Sequence, residues 1–176
     1  SRAPPPLQLQ NFCWLPEREE FDNTDVHEQA YRGIVLPGSS TLADILKRNT
    51  SGYLPLHTAL LAAHWDVAHM LLLPDMLHAY AVEDMLLAIK AVVMQPKLCA
   101  PARTILDTLL HVAGGAAQTA DVMRVACENS NVDAVDVLAT LHPHTVFLTM
   151  KTGLRRSAVH FAAEAGSLEC LQGLQH

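Results

Sequence analysis

Ten histidines stand in this 176-residue chain, and imidazole is both a common metal ligand and a common general base. The closest pairs are His64 with His69, and His142 with His144 across Pro143. No cysteine lies at the short offset from them that closes a tetrahedral zinc site. Cys13, Cys99, Cys127 and Cys170 are far apart with no Cys-x-x-Cys spacing, and two of them fall inside apolar helical patterns, where a thiol packs as a small hydrophobe. No local motif joins a Ser or Cys to a His and an acid for nucleophilic attack. Gly114-Gly115 lacks the G-x-G-x-x-G spacing and the following Lys of a phosphate loop, so it reads as a connection ended by an Asp121 cap. These residues argue against an enzyme, a metal and a cofactor. Lys151, Arg155 and Arg156 form the one dense basic spot, either a solvated turn or a clamp for an acidic partner. Trp14 and Trp65 have the chemistry of interface anchors, with burial in their own domain the weightier reading.

Composition limits what can position such residues. A chain of this length with 50% hydrophobic residues can bury about two thirds of its unfolded surface without a staple. Charged residues make up only 17%, against about 25% in ordinary domains, so part of a charge-poor surface is expected to lie under a partner. The net charge of -6 argues against a nucleic-acid partner, because phosphate contact is the work of clustered Lys and Arg. No apolar run reaches the roughly 18 residues of a membrane helix, so the chain is not expected to span a membrane. Unpaired thiols point to an intracellular, reducing compartment, with the cytoplasm first. The start at Ser1 without Met leaves an organelle interior open if a presequence was removed.

Along the chain, residues 1–37 hold five of the ten prolines and the acidic run Glu17–Asp22, which predicts an extended Pro-rich lead-in anchored by Phe12, Trp14 and Leu15. Thr41 can cap a short helix with Leu42, Ile45 and Leu46 on one face, ending near Asn49. After Gly52, Pro55 suits a first helical turn, and Leu56, Ala59, Leu60 and Ala63 follow at helical spacing. His64 and Trp65 interrupt that stripe. Val67, Ala68, Leu71 and Leu72 then define a second short helix, antiparallel to the first, until Pro74 stops it. Neither helix persists alone in water, since isolated helices below about 12 to 15 residues are marginal.

Each pair must therefore stack on something similar, and the chain supplies it. Ser157-Ala-Val-His160 precedes Ala162, Ala163 and Gly166, with Cys170, Leu171 and Leu174 as a second stripe. From Ala59 to Ala162 is 103 residues, close to three periods of roughly 33. One hidden copy puts Ala126 in the same slot, with Ala134, Val135 and Leu138 at the offsets seen after Ala59. The other puts Ala88 there, with Ile105, Leu106, Leu109 and Leu110 on its second helix and an intervening loop holding Pro96 and Pro101.

Gly52, Pro55-Leu56-His57 and Ala59, with His64 in the next turn, resemble the ankyrin repeat and its T-P-L-H-x-A signature. Ser157, His160, Ala162, Ala163 and Gly166 resemble it again. Leu54 stands where the signature has Thr, which removes one hydrogen-bond partner of His57. The resemblance implies an all-α, ankyrin-type helical-pair solenoid over residues 38–176, with copies near 51–74, 83–111, 119–141 and 152–176. It also explains His57, His64 and His160 as structural, and packs Phe161 between copies. The last copy stops almost at the end of its second helix, so further native sequence, or a partner, is expected to cover it.

In such arrays the turns and first helices line a concave binding surface. By resemblance its slots are Tyr53, Leu61 and Ala62 in the first copy, Lys90 in the second, Glu128 and Asn129 in the third, and Arg155, Arg156 and Glu164 in the last. The function implied is a protein–protein interaction module, an accessory or scaffold subunit of a larger assembly with protein partners. The alternative is the substrate-recruiting ankyrin segment of a larger enzyme. A third reading, direct nucleic-acid binding through Lys151 to Arg156, predicts salt-sensitive retention on a polyanion that Arg155→Glu with Arg156→Glu abolishes.

Overall fold

The computed structural model describes residues 24–34, 40–113, 116–141 and 156–174. Every regular element among them is a helix, in the order α1 (Asp25–Arg32), α2 (Leu42–Ile45), α3 (Pro55–Leu61), α4 (Trp65–Leu71), α5 (Pro74–Leu77), α6 (Val82–Val93), α7 (Ala100–Ala113), α8 (Ala116–Glu128), α9 (Val132–Leu141), α10 (Ala158–Glu164) and α11 (Leu168–Gly173). The fold class is all-α. The chain divides into two compact units, Ser1–Ala88 and Ile89–His176.

In the first unit α3 packs on both α1 and α4. Thr24 caps α1 and Gly33 closes it in a left-handed conformation, so eight residues are held at both ends. Pro55 opens α3, where its missing N–H leaves no gap in the ladder. Val26, Ala30, Leu56, Ala59, Leu60, Val67, Ala68 and Leu71 are all buried. Each fully buried Leu or Val contributes about 1.5 to 3 kcal/mol, which offsets the weakness of helices this short.

In the second unit α8 packs on α9 and α10, and α11 packs on α9 and α10. Met123 and Ala126 on α8, Ala134, Val135 and Leu138 on α9, Phe161 and Ala162 on α10 and Cys170 on α11 are all buried. The stripe read at Ile105, Leu106, Leu109 and Leu110 is buried on α7.

Several boundaries differ from the sequence reading, each for a local reason. The helix α1 lies inside the stretch expected to be extended; the Thr24 cap and Gly33 outweigh its polar composition. Phe12, Trp14 and Leu15 lie outside the described residues. Leu42 does not share a buried face with Ile45: it is exposed, because α2 is a single turn. Pro74 starts α5 rather than only ending α4. Pro101 is the second residue of α7 instead of part of a loop, a position where proline is tolerated. Asp121 does not cap α8, which begins earlier, at Ala116.

Candidate functional site

One local device recurs through both units: a helix end. Gly33, Ala63, Ser130 and Gly166 all have positive φ. The N–H of the following residue reaches back to a carbonyl five residues upstream: Ile34 to Gln29, His64 to Ala59, Asn131 to Ala126 and Ser167 to Ala162, at 2.9 to 3.1 Å. A second bond joins Gly33 to Ala30, Ala63 to Leu60, Ser130 to Cys127 and Gly166 to Ala163. This is the Schellman geometry, which satisfies the last carbonyls of a helix and turns the chain. Ala59, Ala126 and Ala162 are each fully buried, and α4, α9 and α11 each begin six residues after them. The helix α6 lacks this turn at the Ala88 position and runs on to Val93. Its end places Ala91, also buried, where Ala59, Ala126 and Ala162 stand, one helical turn beyond Ala88 on the same face.

A second device sits at the helix starts. Thr24 Oγ1 lies 2.7 Å from His27 Nδ1, and Ser157 Oγ lies 2.9 Å from His160 Nδ1. Nδ1 of His27, His57 and His160 also accepts a backbone N–H: from Thr24, Leu54 and Ser157 at 3.4, 3.0 and 3.2 Å. Leu54 offers His57 only that N–H, as its lack of a hydroxyl dictates. An accepting Nδ1 fixes the proton on Nε2. That nitrogen of His27 donates to the Tyr53 carbonyl at 2.8 Å, and that of His57 to the Asp84 carbonyl at 2.9 Å. Both rings are buried. Burial lowers the pKa of His27 and pushes that of His57 down to about 4, against the raising effect of the carbonyl each ring bonds. Both are neutral at pH 7 and hold chain segments together.

The loop that receives His27 is built by Asn49, whose Oδ1 accepts the N–H groups of Ser51 and Tyr53 at 3.1 and 2.9 Å. Gly52 there takes φ 81. Arg48 bonds the Gly52 carbonyl and pairs with the buried carboxylate of Asp84.

The residues assigned to a docking surface have different settings. Tyr53 is only 9% exposed and sets its ring edge-on to His57, with centroids 6.1 Å apart. Leu61, Ala62 and Asn129 are half-buried and Glu128 and Glu164 exposed. The charged members are drawn into ion pairs: Lys90 with Asp121, Arg124 with both Asp121 and Glu128, and Arg156 with Glu164. Burial alone would raise the Asp121 carboxyl, but the bonds from Lys90 and Arg124 hold it below the usual range. Arg155 and Lys151 lie outside the described residues, as do His142 and His144.

Cys127 and Cys170 are buried thiols. Burial pushes the Cys127 thiol up to about 12 and raises that of Cys170, so neither forms a thiolate at neutral pH. Among the described residues no three His, Cys, Asp or Glu side chains are placed to hold a metal ion, and no helix is long and apolar enough to cross a membrane.

Sequence reasoning missed three residues. His27 follows Thr24 as His160 follows Ser157, a signal that was legible. Asp84 acts through its main-chain carbonyl on His57 as well as through its carboxylate on Arg48. Asn131 donates from Nδ2 to the Val93 and Gln95 carbonyls at 3.0 and 2.7 Å, while its Oδ1 accepts the Ala134 N–H at the start of α9. The chain matches no protein-family model, no curated protein and no solved structure.

Proposed function

We propose that the chain is an ankyrin-type array of helical pairs that serves as a protein–protein interaction module, held as an accessory or scaffold subunit in a larger assembly. The recurring helix end carries this reading: four left-handed residues, each with the same back-bonded carbonyl, three of them followed by a second helix at one fixed offset. His27 and His57, each bonded to a carbonyl 26 or 27 residues downstream, support it, since a repeat must be tied to the next one. Arrays of this kind carry a surface that varies without disturbing the core. Leu61, Ala62, Glu128, Asn129, Arg156 and Glu164 are its candidate contacts, and the low share of charge (17%) suits a surface that a partner covers.

Cross-linking in native extract tests the reading. A stoichiometric protein partner is expected, and Leu61→Asp with Ala62→Asp is expected to weaken it about tenfold or more while leaving the melting temperature within a few degrees. A chain that sediments alone and captures nothing in stoichiometric amount refutes it.

A further inference from the structure

The turn between α2 and α3 carries two adjacent cations and, just beyond them, an exposed hydroxyl. Its main chain closes on itself: the Asn49 N–H reaches the Tyr53 carbonyl and the Gly52 N–H the Asn49 carbonyl, both at 2.9 Å, while Asn49 Oδ1 takes the N–H groups of Ser51 and Tyr53. None of these bonds uses the side chain of Thr50, which is exposed, so added bulk there displaces nothing that shapes the turn. Ser51 beside it is half-buried. Lys47 and Arg48 stand three and two positions before Thr50, a placement of positive charge that Arg- and Lys-directed kinases read with their own carboxylates. Lys47 is exposed and makes no ion pair among the described residues. Arg48 spans the turn: its Nη1 donates to the Gly52 carbonyl at 2.9 Å and its Nη2 to the Asp84 carboxylate at 2.8 Å, and its side chain is still 48% exposed. Thr50 thus lies midway between the two residues that the Nη1 bond joins.

We propose that Thr50 is a phosphorylation site for a basophilic serine/threonine kinase, and that the phosphate, once attached, is held by Lys47 and the remaining donors of Arg48, which pins the turn. Oγ1 of Thr50 attacks the γ-phosphorus of ATP, the bond from that phosphorus to the β–γ bridging oxygen breaks and ADP leaves, and the hydroxyl proton passes to the kinase's base. The product carries about two negative charges at a position that had none. Arg48 does not leave Asp84 for it, because stripping the cation from a carboxylate whose side chain is only 7% exposed costs more than an exposed, screened phosphate contact returns. It need not leave, since the Gly52 and Asp84 bonds do not exhaust the five N–H donors of a guanidinium. The phosphate therefore adds a third anchor to a side chain that already joins the turn to α6. The site does not depend on the repeat-array reading.

The test incubates the full chain, and separately a peptide of residues 43–55, with the catalytic subunit of cyclic-AMP-dependent protein kinase and Mg-ATP. The intact mass of the folded chain is expected to rise by one phosphate, which tandem mass spectrometry places on Thr50. Thr50→Val is expected to abolish the modification, Ser51→Ala to leave it in place, and Lys47→Ala to slow it about tenfold. In the phosphorylated chain, amide exchange over residues 49–54 is expected to slow about threefold or more. Modification of the peptide but not of the folded chain shows that the turn withholds Thr50 and overturns the inference. Phosphate on Ser51 instead, or on neither the chain nor the peptide, overturns it as well. Unchanged exchange over the turn, or faster exchange at the start of α6, means that Lys47 and Arg48 do not hold the phosphate in addition to Asp84, and overturns the clamp.

Discussion

The Nε2 of His57 donates to the main-chain carbonyl of Asp84 at 2.9 Å, across 27 positions of sequence. The opposite nitrogen accepts the Leu54 N–H at 3.0 Å, so a ring with no solvent exposure has both polar atoms satisfied. His27 repeats the arrangement with Tyr53. His27 thus ties the start of α1 to the loop before α3, and His57 ties the start of α3 to the first turn of α6, a role that neither a hydrophobe nor a charged side chain can fill.

Removing that ring leaves the buried Leu54 N–H without its acceptor, takes a bond from the Asp84 carbonyl and opens a cavity. His57→Ala is therefore expected to destabilise the chain by about 3 kcal/mol, read from urea unfolding as a lower midpoint at unchanged slope. His160→Ala, whose ring is exposed, is expected to cost about 1 kcal/mol or less through the lost cap. Equal losses at the two positions contradict the assignment of His57 as a buried tie.

Acid should act through the same residues. The pKa of His57 falls from an ordinary 6.5 to about 4 on folding, so the unfolded chain binds the extra proton between those values. The stability is fully present above pH 6.5 and is lost as pH falls toward 4, on the order of 3 kcal/mol for this one group. His27, shifted in the same direction, adds to the loss. Stability measured from pH 7 to 4 is expected to fall, and His57→Gln to flatten that slope. A wild-type profile without slope in this window refutes neutral burial.

Gly33 and Gly166 have nearly the same backbone, φ 71 and 70, but different surroundings. A Cβ on Gly33 would lie 2.5 Å from Nδ1 of His64, while one on Gly166 meets nothing within 4 Å. Gly166→Ala is expected to cost about 1 kcal/mol from the left-handed backbone alone. Gly33→Ala should cost about 2 kcal/mol or more, since a close contact is added to that strain. A His64→Ala background should recover the excess, and a double-mutant cycle with no coupling would show that the ring does not limit the site.

Asn131 bonds the carbonyl of Val93 at the end of α6 and that of Gln95 just beyond it, and caps α9. Asn131→Ala is expected to destabilise by about 2 to 3 kcal/mol, and Asn131→Asp nearly as much, because a carboxylate cannot donate to Val93 and Gln95. Hydrogen exchange at the start of α9 is expected to rise in both. If Asn131→Asp retains full stability, the two donor bonds carry no weight.

Much of the helical layout was readable because short amphipathic helices announce themselves by spacing. Val67, Ala68 and Leu71, and Ala134, Val135 and Leu138, share one set of offsets and lie buried on α4 and α9. Ala88 against Ala91 was not resolvable, since both occupy one face of α6 and both are fully buried; only the helix end separates them. The docking residues were less legible. The resemblance gives Tyr53 a slot on the docking surface, but its ring lies edge-on to His57, and it gives slots to Lys90 and Glu128, which Asp121 and Arg124 claim.

The sequence by itself determined that the chain is helical, that its helices are too short to stand alone, and where Pro55 and Ser157 begin two of them. These are properties of neighbouring residues, set by propensity, capping and spacing. Only the tertiary structure decided which carbonyls His27 and His57 reach, which charges are already paired, and that His160 bonds no distant carbonyl among the described residues. Such choices depend on groups tens of positions apart brought within 3 Å, and no local pattern fixes a distance of that kind.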